Sequence, residues 1–163
     1  LGELRKRGFQ NFFFDTVDAY QHVAKTPEQR AIYEANVAAF IKAVKSTYPD
    51  AGIILNRGFE IVDEVHDLID GVLFESLFYG LDGSTLTYRE VPEADRAWLM
   101  GHVRKIRAYG LPVIALDYLP LNEREKIAED IRRIRKMGLI PYIGDRYLQR
   151  IGYSATGGGS GSV

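Results

Sequence analysis

The sequence predicts an α/β protein whose strands run parallel in one sheet. Two observations carry that expectation. Five short apolar runs recur along the chain, each closing on or near a polar residue, with amphipathic helical stretches between them. The runs are continuously apolar, as in strands covered on both faces, and lack the alternation of a half-solvated sheet. Strands that alternate with helices in this way connect as right-handed βαβ units.

Taken in order, residues 1–7 read as the end of a helix, and Phe12-Phe13-Phe14 is the first strand, closing on Asp15. Thr26-Pro27-Glu28-Gln29 then offers a helix cap, a proline at the first helical position and a Gln at the capping-box position. Tyr33, Val37, Phe40, Ile41, Val44 and Tyr48 follow as one helical face. Ile53-Ile54-Leu55 closes on Asn56, and a short helical segment from Ile61 to Leu68 leads to Val72-Leu73-Phe74, which closes on Glu75. A long polar loop is expected from Phe78 to Val91, of the kind that serves as a lid or binding loop. Pro92 to Tyr109 is a helix stopped by Gly110, and Val113-Ile114-Ala115-Leu116 closes on Asp117. Asn122-Glu123-Arg124-Glu125 resembles a second capping box, ahead of an Ile127, Ile131, Ile134 stripe and a stop at Gly138. The fifth strand runs from Leu139 to Ile143 and closes near Asp145. Residues 1–153 are expected as one domain, and 154–163 as a flexible Gly/Ser tail.

Five βα units are fewer than the eight strands and about 250 residues of a (β/α)8 barrel. They make five-eighths of a barrel or a whole open sheet. The start within a helix, with a strand directly behind it, favours the partial barrel. The opening Leu-Gly-Glu, with no methionine and no signal peptide before it, reads as a fragment, a processed chain or an engineered piece.

Composition narrows the function. The 163 residues carry 46% hydrophobic and 26% charged side chains, an ordinary globular balance. Twenty-one basic against 22 acidic residues leave a formal charge of -1, so no basic footprint for nucleic acid exists. No apolar stretch approaches the roughly 20 residues that span a bilayer. Without cysteine there is no thiol nucleophile or thiolate metal site. His22, His66 and His102 share no ligand spacing, and no phosphate-cradling glycine loop or G-x-S-x-G elbow follows a strand. No cofactor or metal is expected. The basic run at Arg132, Arg133, Arg135 and Lys136 reads as a solvated helix face.

The strand ends hold the candidate chemistry. In parallel α/β folds the carboxyl ends of the strands converge on one concave face, which would gather Asp15, Asn56, Glu75 and Asp117. Asp and Asn are also common after strands as turn formers and caps, but Glu is a poor turn former. Paired carboxylates suit glycoside hydrolysis, one as nucleophile or base and the other as acid. Asp15 and Glu75 are the candidates, with Asp18 competing for the first role or capping the turn Val17 to His22. Tyr20, Phe78, Tyr79 and Tyr118 lie near the same strand ends, where aromatic faces stack on sugars; ordinary core packing is the alternative.

Phe13-Phe14-Asp15-Thr16-Val17-Asp18-Ala19-Tyr20 resembles the signature of glycoside hydrolase family 114, the endo-α-1,4-polygalactosaminidases and their relatives. Leu55-Asn56-Arg57-Gly58-Phe59-Glu60 and Phe74-Glu75-Ser76-Leu77-Phe78 are similar to one branch of it, the hydrolase domains of Pel-polysaccharide modification proteins, often fused to a deacetylase. Asp117-Tyr118 also fits, and the similarity runs from residue 8 to about 153. The resemblance implies strands four to eight of a (β/α)8 barrel, with three N-terminal strands absent. It implies an endo-hydrolase of α-1,4-linked galactosamine or N-acetylgalactosamine polysaccharide, exported to the periplasm or beyond. Asp15 would be the nucleophile and Glu75 the general acid/base. Asp18, Tyr20, Asn56, Arg57, Glu60, Tyr79, Asp117 and Tyr118 would line the substrate groove. A second chain or segment would complete the barrel. The competing reading is a non-catalytic carbohydrate-binding or assembly module, inactive as a fragment. A barrel enzyme for anionic substrates is disfavoured, since Arg57 is the main basic residue at a strand end.

Overall fold

The computed structural model describes residues 1–154 and the backbone of Gly157–Gly158. The chain forms two compact units, Leu1–Val72 with Ala108–Leu111, and Leu73–Arg107 with Pro112 onward.

The first unit contains α1 (Gly2–Lys6), β1 (Phe12–Phe14), a 3₁₀ turn (Ala19–His22), α2 (Pro27–Thr47), β2 (Ile53–Asn56), α3 (Val62–Val65) and the first two residues of β3 (Gly71–Glu75). β1 and β2 are parallel, with Phe12 opposite Ile53 and Phe14 opposite Leu55. Phe12, Ile53 and Leu55 are buried, whereas Phe13 is 50% exposed. The two faces of these strands are therefore unequal, although both are apolar. Asp70 ties the chain entering β3 to β2: its carboxylate accepts from Ile53 N at 2.7 Å and its own N–H donates to Ile53 O.

α2 begins as its sequence implies. Thr26 Oγ1 accepts from Gln29 N at 3.2 Å and Pro27 needs no partner for an N–H. The reciprocal bond differs from a strict capping box, because Gln29 Oε1 accepts from Lys25 N, one residue upstream of the cap. Ala38, Ile41 and Val44 form the buried stripe. Tyr33 and Phe40, expected in that stripe, are 42% and 50% exposed; the buried face is rotated toward the small Ala38, which lets the helix approach closely.

The second unit holds the rest of β3, then β4 (Tyr79–Leu81), β5 (Tyr88–Glu90), α4 (Glu93–Ala108, to Arg107), β6 (Val113–Tyr118), α5 (Arg124–Lys136), β7 (Ile140–Gly144) and β8 (Tyr153–Ser154). β6 and β7 are parallel from Ile114–Ile140 to Tyr118–Gly144. β8 pairs antiparallel with β7, and β9 (Gly157–Gly158) with β8. Apart from those two glycines, the Gly/Ser segment expected as a tail lies outside the described residues from Ala155 on. Leu99, Val103 and Ile106 of α4 and Ile127 and Ile134 of α5 are buried, each contributing roughly 1.5–3 kcal/mol.

The chain is thus a mixed α/β protein with a largely parallel sheet, as its sequence predicts. Two local expectations need correction. The segment 78–91 is a β-hairpin, Tyr79–Leu81 against Tyr88–Glu90, in place of an open loop. Its turn is tied by Asp82, whose Oδ1 accepts from the amides and hydroxyls of Ser84 and Thr85. Those four donors hold the Asp82 carboxyl well below its ordinary range. Second, α5 starts with Glu123 at the cap and no side-chain capping bond. Asn122 lies one residue too early to serve.

Candidate active site

In the first unit, Asp15 follows β1 and is exposed. Its Oδ1 accepts from Asn56 Nδ2 at 2.8 Å and from Thr16 N at 2.7 Å. Thr16 has a φ of 59°, which turns the chain sharply after Asp15. Asn56 ends β2, and the parallel register that pairs Phe14 with Leu55 brings the two side chains together. Beyond it Arg57 and Gly58 are both left-handed, at φ 57° and 65°. A Cβ on Gly58 would lie 2.8 Å from Val17 Cγ2, so the tight turn requires glycine. Glu60 is exposed and accepts from Gln21 Nε2 at 2.9 Å.

Asp18 occupies the cap position of the 3₁₀ turn without a side-chain capping bond, and is half-buried. Tyr20 differs from the expectation of a groove aromatic. It is 7% exposed, its hydroxyl donates to Glu34 Oε1 at 3.1 Å, and its ring stacks on Tyr33. Burial, with Glu60 and Glu34 nearby, pushes its hydroxyl up from the usual phenol range. It is a packed member of the turn that carries Asp18.

In the second unit, Glu75 ends β3 and is half-buried. Tyr118, the last residue of β6, donates its hydroxyl to Glu75 Oε2 at 2.5 Å. This is a short O–H···O contact. Asp117, the residue before it, points the other way, because successive strand residues face opposite sides. Asp117 is fully buried and accepts from Leu77 N at 2.6 Å, Phe78 N at 2.8 Å and Tyr79 N at 3.0 Å. The expectation that Asp117 lines a substrate groove is therefore corrected: it organises the turn that follows Glu75. Tyr79 is 9% exposed, with the Lys126 ammonium 4.7 Å above its ring.

One buried acid escaped the sequence reading. Asp130 on α5 has no solvent exposure. It sits three residues after Ile127 and four before Ile134, on the same face as that stripe, and this spacing is the signal that could have found it. Arg133, assigned to the solvated run, instead covers the ring of Phe78 at 3.8 Å. Two of the three histidines take packing roles: His66 stacks on Tyr109 and His102 meets Trp98 edge-on. Among the described residues no cluster of three or more His, Asp or Glu could hold a metal, and no helix is long and apolar enough to cross a membrane.

Glu75 at the end of β3 is thus braced by a tyrosine, and Asp15 at the end of β1 by an asparagine. The chain belongs to glycoside-hydrolase family GH114, which it matches over residues 1–159. It is similar to the glycoside hydrolase domain of PelA from Pseudomonas aeruginosa, with 35% identity and a TM-score of 0.87. A glutamate-to-alanine variant of that domain gives the same values. Both comparisons cover 94% of this chain and 60% of theirs. An uncharacterized protein of Deinococcus radiodurans is 25% identical over 156 residues, 93% of this chain and 47% of that protein.

Proposed function

We propose that the chain is the strand-four-to-eight portion of a (β/α)8 glycosidase that cleaves α-1,4-linked galactosamine or N-acetylgalactosamine polysaccharide within the chain. Membership of a glycoside hydrolase family across residues 1–159 is the observation that carries this reading. Likeness to the hydrolase domain of PelA supports a biofilm-type polysaccharide as the substrate and an exported location.

Asp15 is the nucleophile. The bonds from Asn56 and Thr16 to Oδ1 leave Oδ2 for the anomeric carbon and aim the carboxylate. Glu75 is the general acid/base: it protonates the departing glycosidic oxygen, then takes a proton from the water that releases the glycosyl-enzyme. The Tyr118 hydroxyl, bonded to Oε2, orients this carboxyl group. Asn56, Arg57, Glu60 and Asp18 contact the sugar units, and the acidic groups among them suit a cationic amino sugar.

The test is to incubate partly deacetylated α-1,4-galactosaminan with the intact protein, Asp15→Asn and Glu75→Gln, and to size the products. Shortened oligomers from the parent and none from either variant are expected. Equal cleavage by either variant overturns the assignment. The chain spans 60% of the solved hydrolase domains. The second reading is a carbohydrate-binding or assembly module. Oligomer binding without product from the parent selects that reading.

A further inference from the structure

We propose that Asp130 carries a proton and donates it to Asp117, forming a one-proton clasp that fixes the turn after Glu75. The clasp stands on its own geometry; only its effect on catalysis rests on the role given to Glu75.

Both side chains are fully buried. Asp117 has three backbone N–H donors, on Leu77, Phe78 and Tyr79, a set that suits an anion. Asp130 lies within hydrogen-bonding reach of it, and neither Asp130 oxygen meets an N–H or O–H donor among the described residues. Two ionised carboxylates facing each other in an apolar interior are untenable, and an acceptor left without a donor costs its full desolvation. One proton on Asp130 resolves both problems, since the acid group then donates into the oxygens of Asp117.

The surrounding charges agree. From its own helix, Lys126 and Arg133 face Asp130 and moderate the cost of a negative charge. Both also cover the turn, Lys126 on the ring of Tyr79 and Arg133 on the ring of Phe78. From α4, Arg96 lies 5.2 Å from the same Phe78 ring. Burial, with Asp117 close by, pushes the Asp130 carboxyl up to about 8. Burial raises Asp117 as well, while its three N–H donors pull it back.

The turn itself has little slack. Ser76 sits at φ 66°, and a Cβ on Gly80 would lie 2.7 Å from Ser76 Oγ. Ser76 N also bonds Leu116 O, one residue before Asp117. The clasp therefore secures both anchors of Glu75, the chain that leaves it and the strand that bears Tyr118. Asp117 and Asp130 are positioning residues, since neither faces the carboxylate of Glu75.

Linkage gives a distinctive sign. The folded state holds a proton on Asp130 that an unfolded Asp releases near pH 3.9. Stability is then full below about pH 4, falls as pH rises, and levels off above about 8. The test compares unfolding of the chain and of Asp130→Asn from pH 5 to 9. The Asn amide supplies the same donation with no proton to lose. From pH 5 to 8 the folded-to-unfolded ratio of the parent should drop up to about a thousandfold relative to Asp130→Asn. Parallel curves overturn the clasp.

Should the variant not fold, carbon-13 carboxyl spectra of the parent decide. One aspartic acid still protonated at pH 6 and ionising near pH 8 supports the proposal; every aspartate ionised by pH 6 overturns it. On galactosaminan, Asp130→Asn should keep kcat at pH 6 and lose part of the parent's alkaline decline, with KM unchanged. A parent that cleaves nothing overturns the catalytic reading and leaves the two protein measurements to judge the clasp.

Discussion

At the end of β1 the carboxylate of Asp15 stands in solvent, steadied by Asn56 and by the amide that follows it. At the ends of β3 and β6 the acids are enclosed: Glu75 is half-buried under a tyrosine hydroxyl, and Asp117 is sealed beneath three backbone amides. All three residues share one sequence signature, an acid closing an apolar run, yet they meet three environments. Strand parity explains part of the difference. Tyr118 and Asp117 are neighbours in β6 and must face opposite sides, so only one of them can share a side with Glu75. The side of the sheet on which a strand-end acid lies follows from that one-residue phase.

The largest effect that separates the two kinds of acid is on stability. Asp117→Ala strands three buried amides and should cost about 3–5 kcal/mol in urea unfolding. A loss below about 1 kcal/mol would erase the distinction drawn here. Tyr118→Phe removes the brace of Glu75 without touching the amides bound to Asp117. Loss of this hydrogen bond, worth about 0.5–3 kcal/mol, should appear mainly in kcat on galactosaminan; a change confined to KM would show that the brace serves binding. Gly80→Ala puts a Cβ against Ser76 and should destabilise by about 1–3 kcal/mol, checked by thermal unfolding. In the first unit, Thr26→Ala removes the α2 cap and should cost about 1 kcal/mol by the same measurement. Its hydrolysis rate should stay at the parent's value.

Much of this was legible beforehand, for physical reasons. Continuous apolar runs located the strands of the largely parallel sheet, although Phe13 and Ile140 within them are about half exposed. The Thr26-Pro27 start of α2 was readable because capping is a local matter. Asn56 and Glu75 do end their strands, and Asp15 directly follows β1, as the apolar runs imply. The fate of Asp117 was not legible, because a fully apolar strand carries no alternation from which to read its phase. Tyr20 was misjudged since its partners, Glu34 and Tyr33, lie a whole helix-start away. The hairpin at 79–90 was hidden by its turn, whose Asp82, Ser84 and Thr85 have the composition of a loop while their mutual hydrogen bonds close a tight one. Asp130 lies on the Ile127–Ile134 face, but an acid among apolar residues gives no sign in sequence of the partner that would let it be buried.

The central contrast is between Glu75, the acid proposed to react, and Asp117, the acid that holds the turn after it. Glu75→Gln tests it most directly, with release of reducing ends from α-1,4-galactosaminan measured beside the unfolding midpoint of the same protein. Hydrolysis should fall by about 10²–10⁴-fold while the midpoint stays at the parent's value. Hydrolysis retained at the parent's rate, or lost only together with the fold, would contradict it.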